Sequence, residues 1–333
     1  MLSRRSLLFF PLALEAAFLE PAFASDFVDS AGRTVRLPNS IKRIIPAGPP
    51  AEALLYSLAP DTLAGLIEPW TDSQKQAGIE KIRDLPMIPR ITSRDGDLDM
   101  EALRALHADL IIDYGNIDER YNALADKVQS ATGIPYLVLD GSLTKVPEIV
   151  RHLGAVLQRE ERAGDIAKTA EFALQKLMPV TSKAAGERIS VYYARGGDGL
   201  RAVRSGSSLD EAIALAGGHN VIPPGDGTFS VISVGAVAAL NPYIVVLADP
   251  KAAEPGAPLR QSLPAQTRFL VDSGLPYGWI ERPPSLNRLI GALWLASNLY
   301  PGEISFSNGE AREMSVALFH RSPTDPMIQN LFH

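Results

Sequence analysis

MEALRALHADLIIDYG, residues 100–115, runs a short helical segment through Ala-Leu into an apolar strand, and a second stretch repeats that design. VGAVAALNPYIVVLAD, residues 234–249, aligns with it without gaps, with identities at Ala102/Ala236, Ala105/Ala239 and Leu106/Leu240. Strands this uniformly apolar are buried on both faces, as the strands of parallel sheets are. The pair predicts an α/β chain in two related halves. The identities are few, so a helix-to-strand unit recurring within one α/β fold also fits. Further predicted strands at 43–46, 63–67, 136–139 and 189–193 alternate with helical stretches, which argues for largely parallel sheets.

Between the halves lies VPEIVRHLGAVLQREERAGDIAKTAEFALQKLMPVTS, residues 146–182, with Gly154 and Gly164 as its turn signals. Ile149, Leu153, Val156 and Leu157 share one face, and Ile166, Ala170, Ala173, Leu174 and Leu177 continue a stripe at helical spacing. Pro179 and Gly186 are expected to end it. The reading is a stiff helical strut between lobes. The expected organisation is a signal peptide over 1–24, an N-terminal α/β lobe over 25–145, a helical segment over 146–186 and a C-terminal α/β lobe over 187–333.

The opening MLSRRSLLFF places two arginines before an apolar run, and Ala22-Phe23-Ala24 fits a cleavage site of the A-x-A type. Ser3-Arg4-Arg5-Ser6-Leu7-Leu8 also fits a twin-arginine export signal. With Glu15 interrupting it, the run is too short to span a bilayer. An exported, soluble, periplasmic chain is expected. The 333 residues contain no cysteine, so disulfides, thiolate metal sites, a cysteine nucleophile and a lipidated cysteine anchor are excluded. A net charge of −6 without a basic tract argues against nucleic acid as a partner.

Catalytic patterns fare poorly. Gly197-Asp198-Gly199-Leu200-Arg201-Ala202 matches a dinucleotide fingerprint, but Ser205-Gly206-Ser207 breaks the chain too soon for the required helix. Phosphate-loop and nucleophile-elbow motifs are missing. His107, His152, His219, His320 and His333 fall one to a segment, which disfavours a bare-metal site and a resident metal cofactor. What remains is a set of loop arginines and aromatics: Trp70, Arg94, Tyr114, Arg195, Arg204, Trp279 and Arg282. Most follow predicted strands, where open α/β sheets form their ligand crevice. Guanidinium forks suit carboxylates and oxyanions, and aromatic faces suit flat or apolar ligands.

Four stretches in order, DSAGRTVRLPNSIKRIIPAG (29–48), LDMEALRALHADLIIDYG (98–115), SGSSLDEAIALAGGHNVI (205–222) and WIERPPSLNRLIGALWLASNLYP (279–301), resemble the periplasmic substrate-binding proteins of ABC importers, in the iron-complex and cobalamin class. The resemblance implies two α/β lobes bridged by one long helix, a cleft between them and no enzymatic step. It implies an ABC permease, with its transmembrane subunits and ATPase, as partner to a monomeric receptor. It implies that Glu101 and Glu211 dock on permease arginines. The residues themselves offer another role for each: Asp99 caps a helix whose first turn holds Glu101, and Ser208 to Glu211 forms a capping box. The family pattern adds Gly48 and Pro49 to the ligand set. Arg288 would open a helix whose free N–H groups serve an anion after Pro283-Pro284. A ferric siderophore or similar anionic metal chelate fits the arginines. Molybdate or tungstate, heme and cobalamin stay open as ligands, as do an exported hydrolase-like enzyme on an anionic substrate and a ligand-free adaptor.

Overall fold

The structure, a computed structural model, describes residues 23–92, 98–272 and 277–322. The predicted signal, apart from Phe23 and Ala24, and Arg94 lie outside the described residues. The first half begins with a β1 (Phe23–Val28) and β2 (Thr34–Pro38) hairpin, then β3 (Ile44–Pro46), α1 (Pro49–Leu58), α2 (Asp72–Ala77) and α3 (Glu80–Arg83). It continues through α4 (Met100–Ala105), β4 (Leu110–Gly115), α5 (Glu119–Thr132) and β5 (Tyr136–Asp140). Two helices follow, α6 (Val146–Val156) and α7 (Glu160–Thr181). The second half holds β6 (Ile189–Arg195), β7 (Arg201–Val203), α8 (Asp210–Leu215), β8 (Gly218–Asn220), β9 (Phe229–Val231), α9 (Val234–Leu240) and β10 (Ile244–Leu247). It ends with α10 (Pro258–Ser262), β11 (Arg268–Val271), α11 (Arg288–Leu299) and α12 (Asn308–Phe319).

The first half builds a parallel sheet of order β3-β4-β5. The second builds a mixed sheet of order β11-β10-β6-β7-β9, with β8 also on β6. Its β11, β10, β6 and β8 run parallel, and β7 is antiparallel to both β6 and β9. The two quoted stretches become α4–β4 and α9–β10, and they match in detail. Asp99 Oδ1 caps one helix by accepting the Ala102 N–H at 2.9 Å, and Ser233 Oγ caps the other by accepting that of Ala236 at 3.2 Å. Each helix gives way to a left-handed residue at the same aligned position, His107 at φ 48 and Asn241 at φ 46. Strand faces agree too. Leu110, Ile112 and Tyr114 of β4, like Ile244, Val246 and Ala248 of the β10 segment, join one core shared by both halves. Ile111 packs in a cluster with α4 and α5 residues, and Val245 and Leu247 in another with α9 and α10 residues.

Three expectations are corrected here. The helical segment is a hairpin rather than one rod: Gln158 turns left-handed at φ 56, and α6 folds back on α7. Gly154 permits this, since a Cβ there would lie 2.3 Å from Ala163 Cβ, and Arg151 pairs with Glu171 at 2.8 Å across the two helices. Both apolar stripes face the same core, so periodicity alone could not register a break in the polar Gln158-Arg159 step. Pro179 does not end α7, which runs on to Thr181. At its start Arg159 pairs with Asp61 at 2.7 Å and Arg162 donates to Ser57 O at 2.8 Å, both in the first half. At its end the Thr181 hydroxyl donates to Leu215 O at 2.6 Å in the second half. The segment 63–67 supplies two isolated bridges, Ile44 to Leu63 and Leu66 to Met87, in place of a strand. Gly65 is why the chain packs so tightly there: a Cβ would meet Pro86 O at 2.4 Å.

Candidate functional site

The C-terminal ends of the parallel strands define the candidate site, because the segment from Tyr277 to Arg288 touches those ends in both halves. In the second half Asp272, just past β11, anchors this segment. Its Oδ1 accepts the N–H groups of Trp279 at 2.7 Å and Ile280 at 3.1 Å, and its Oδ2 accepts the Glu281 N–H at 3.0 Å and the Tyr193 hydroxyl at 2.5 Å. A carboxylate meeting that many donors fixes a loop far more firmly than loop sequence could. Glu281 then pairs with Arg195 at the end of β6 at 2.5 Å, and Arg282 donates to Ala248 O at 3.0 Å beyond β10. Toward the first half, Ser285 Oγ donates to Pro50 O at 2.9 Å, and Arg288 Nη2 donates to Gly141 O at 2.5 Å beyond β5. The strand ends of both halves thus meet around one segment.

On the second-half side the charge is concentrated. Arg195 and Arg201 pair across β6 and β7, and each guanidinium lies 4.5 Å from the Phe229 ring centroid. Arg282 is exposed, with a left-handed φ of 71. Glu281 is buried, and burial raises its pKa against the opposing pull of Arg195 and Arg282. Arg204 braces the loop ahead of β9, donating to Phe229 O at 3.2 Å and packing on Gly225.

On the first-half side the site is backbone and aromatic. Gly48 follows β3, and a Cβ there would lie 2.4 Å from Thr92 Oγ1. Thr92 N–H donates to Ala47 O at 3.0 Å, which holds Thr92 beside that glycine. Pro49 starts α1, whose one carboxylate, Glu52, accepts the Ile67 N–H at 2.6 Å and the Trp70 indole N–H at 3.4 Å. Burial pushes Glu52 up to about 7. Trp70, Tyr56 and Phe319 surround Tyr277, with ring centroids 6.0, 5.5 and 5.6 Å away. The hydroxyls of Tyr114 and Tyr277, the indole nitrogen of Trp279 and Glu281 Oε2 are buried with no hydrogen-bond partner among the described residues. Such atoms are ones that a ligand can complete.

The sequence set therefore divides. Arg195, Arg282, Trp279, Arg288, Tyr114, Gly48, Pro49 and Trp70 gather at or beside the strand ends; Arg204 serves the β9 edge. The α11 start offers no free N–H groups, contrary to expectation: those of Arg288, Leu289 and Ile290 donate to Ser285 O, Leu286 O and Asn287 O. Arg288 itself is 1 % exposed. The expected capping box does not form, and α8 has no side-chain cap. Ser207 Oγ accepts the Asp210 N–H at 3.3 Å while Asp210 accepts the Gly206 N–H at 2.7 Å, leaving Glu211 to reach elsewhere. Glu101 is exposed in the first turn of α4. Sequence reading missed Glu52, Asp272 and Glu281. A lone carboxylate in the otherwise apolar α1 was the available signal for the first; Glu281 depends on Arg195, distant in sequence, and Asp272 on Tyr193 and on the N–H groups of a loop 7 to 9 residues on. Among the described residues no group of three or more His, Asp or Glu side chains is placed to hold a metal ion. None of their helices is long and apolar enough to cross a membrane.

A family model described as periplasmic binding protein matches residues 41–261. An ABC transporter solute-binding protein from Sulfurospirillum deleyianum superposes with a TM-score of 0.82 at 25% identity, covering 92% of this chain and 98% of that one. A periplasmic solute-binding protein from Veillonella parvula follows at 0.71 and 18% identity, covering 92% and 96%. The molybdate periplasmic binding protein MolA of Haemophilus influenzae, solved with molybdate, gives 0.67 at 17% identity over 90% and 99%. No curated protein matches the sequence significantly.

Proposed function

The chain belongs to the periplasmic binding proteins, the solute-binding components of ABC transporters, and from that premise we propose that its cargo is an anionic metal chelate such as a ferric siderophore. Membership sets the hydrolase and adaptor readings aside: the protein performs no chemistry and hands its ligand to a permease.

One observation carries the cargo reading. The strand ends of the second half present Arg195 and Arg201 on the ring of Phe229, with the exposed Arg282 held beyond β10 by its bond to Ala248 O, facing a glycine-rich and aromatic first half. A chelate with carboxylate or phenolate oxygens on an apolar framework matches both characters. The two halves act as lobes around a cleft, with α7 as the strut between them. Heme is most often held by an axial histidine, and the described strand ends present none: His107 precedes β4, and His219 pairs with Ser190 at the opposite end of β6. A second reading, molybdate or tungstate, draws on the same arginines and on the likeness to the molybdate-bound protein. Docking on the permease uses Glu101 and Glu211.

Titration of the purified protein with ferric catecholate and hydroxamate chelates, heme, cobalamin and molybdate tests this by fluorescence of the buried Trp70 and Trp279. Saturable quenching by one ferric chelate is expected. A response to molybdate alone would replace the reading with the second, and silence across the panel would overturn both.

A further inference from the structure

Glu211 is the glutamate that the docking reading offers to the permease from the second half, yet both its oxygens are already engaged. Oε1 accepts the Leu143 N–H at 2.7 Å and Oε2 accepts from Arg288 Nη1 at 2.9 Å. Leu143 follows β5 and belongs to the first half, so this carboxylate spans the two halves. Arg288 does the same from within. Its Nη2 donates to Gly141 O in the first half at 2.5 Å, its Nη1 also donates to Ser208 O in the second, and its Nε donates to Ser285 O at 3.3 Å. Side-chain exposure is 2% for Arg288 and 25% for Glu211. A buried cation therefore has its counter-charge at the rim, within reach of an outside partner. Glu101 differs: it is exposed, and no ion pair among the described residues involves it.

We propose that Arg288 is a positioning residue, one side of a clamp that closes on Glu211 and holds the two halves at a fixed separation. A permease arginine that meets Glu211 competes with Arg288 for the carboxylate and frees the Leu143 N–H, so that docking loosens the joint between the halves. Removing one partner of a buried pair is costly because the other charge stays behind unpaired. Loosening the halves lets that buried guanidinium reach water. The clamp stands on the hydrogen bonds alone; the release step rests on the docking role of Glu211 given above.

The chain has no cysteine, so spin labels at Lys127→Cys on α5 and Ala239→Cys on α9, both exposed, report the separation of the halves by double electron–electron resonance. A single narrow distance is expected for the parent. Glu211→Gln should add a longer population, and Arg288→Lys, which keeps the charge but cannot reach Gly141 and Glu211 together, should give a smaller share of it. Unchanged distances in both variants would overturn the clamp. Should Arg288→Lys fail to fold, Glu211→Gln answers alone. Adding the permease in nanodiscs to the labelled parent should produce the same longer population, and Glu211→Gln should weaken nanodisc binding about tenfold. Binding with no change in distance would overturn the release step and leave the clamp. Undiminished nanodisc binding by Glu211→Gln would instead remove the docking role, and the release step with it, while the distances still judge the clamp.

Discussion

The two halves share a helix-to-strand unit and finish it in opposite ways. Strands β3, β4 and β5 lead to Gly48, Gly115 and Gly141, whereas β6, β10 and β11 lead to Arg195, Asp249 and Asp272. In the first half the glycines bring backbones together: a Cβ on Gly141 would lie 2.7 Å from Gly115 Cα, and Gly141 N–H donates to Gly115 O at 2.8 Å. In the second half ionised side chains organise the same edge. The outer faces differ as well, since the position of Leu247 is taken by Asp113, buried beside the Tyr136 hydroxyl at 3.4 Å and pushed by that burial to about 6. A common scaffold thus carries shape on one side and charge on the other, and the two can be broken separately.

The largest effect is expected at Asp272. Asp272→Ala strands three buried N–H groups and the Tyr193 hydroxyl, each costing on the order of 1–3 kcal/mol when unpaired. Partial rearrangement of the loop limits the sum, so a loss of about 4 kcal/mol is expected in urea unfolding. A stability close to the parent's would show that the 277–288 segment is held by packing instead of by charge. On the first-half side Gly141→Val should cost about 3 kcal/mol, because the clash is with backbone and cannot be relieved by a rotamer change. A tolerated valine would mean that the two strand ends are free to part, and the contrast between halves would lose its glycine side.

These two residues also mark how far sequence reading reaches. The α4–β4 and α9–β10 units were legible because caps, helical period and apolar strands are local signals, and even the left-handed His107 and Asn241 fall at aligned positions. The place of Arg195 at a strand end was legible from the predicted strand 189–193 just before it. The turn at Gln158 was not, since a polar residue between two amphipathic helices fits a continuous one equally well. Nor was the Arg288 side chain's direction: its hydrogen bonds reach residues 77, 80 and 147 positions away. Glu281 stayed hidden for the same reason, since its partner Arg195 lies on β6, whereas Asp272 is anchored mainly to N–H groups 7 to 9 residues on, in a loop whose sequence carries no local pattern.

A middle-sized effect separates the halves by pH. Glu52 has a pKa of about 7 in the folded chain against 4.5 as its ordinary value. Between those values the folded state binds a proton that the unfolded state has released, so its contribution to stability falls as pH rises from about 4.5 to 7 and is level above. The full shift corresponds to at most about 3 kcal/mol, and partial solvation brings the expectation nearer 2. Urea unfolding of Glu52→Gln at pH 5 and pH 8 should show that much less pH dependence than the parent. Equal slopes in the two proteins would place the sensitivity elsewhere and leave the aromatic box around Tyr277 without an ionisable member.

The smallest effect on the protein itself is expected at Glu101, and it sharpens the contrast most. An exposed carboxylate in the first turn of α4 gains about 0.5 kcal/mol from the helix dipole, so Glu101→Arg should cost no more than about 1 kcal/mol. Glu101 belongs to no ion pair among the described residues, and ligand affinity should be unchanged in a fluorescence titration. If Glu101 docks as proposed, uptake through the permease should nevertheless fall, because the carboxylate offered to permease arginines has become a cation. The same reversal at Glu211 would set two guanidinium groups against each other at the Arg288 joint and alter affinity and uptake together. If Glu101→Arg weakens ligand binding as much as uptake, its carboxylate acts on the cleft rather than on the permease, and the two glutamates are not divided into a free one and a clamped one.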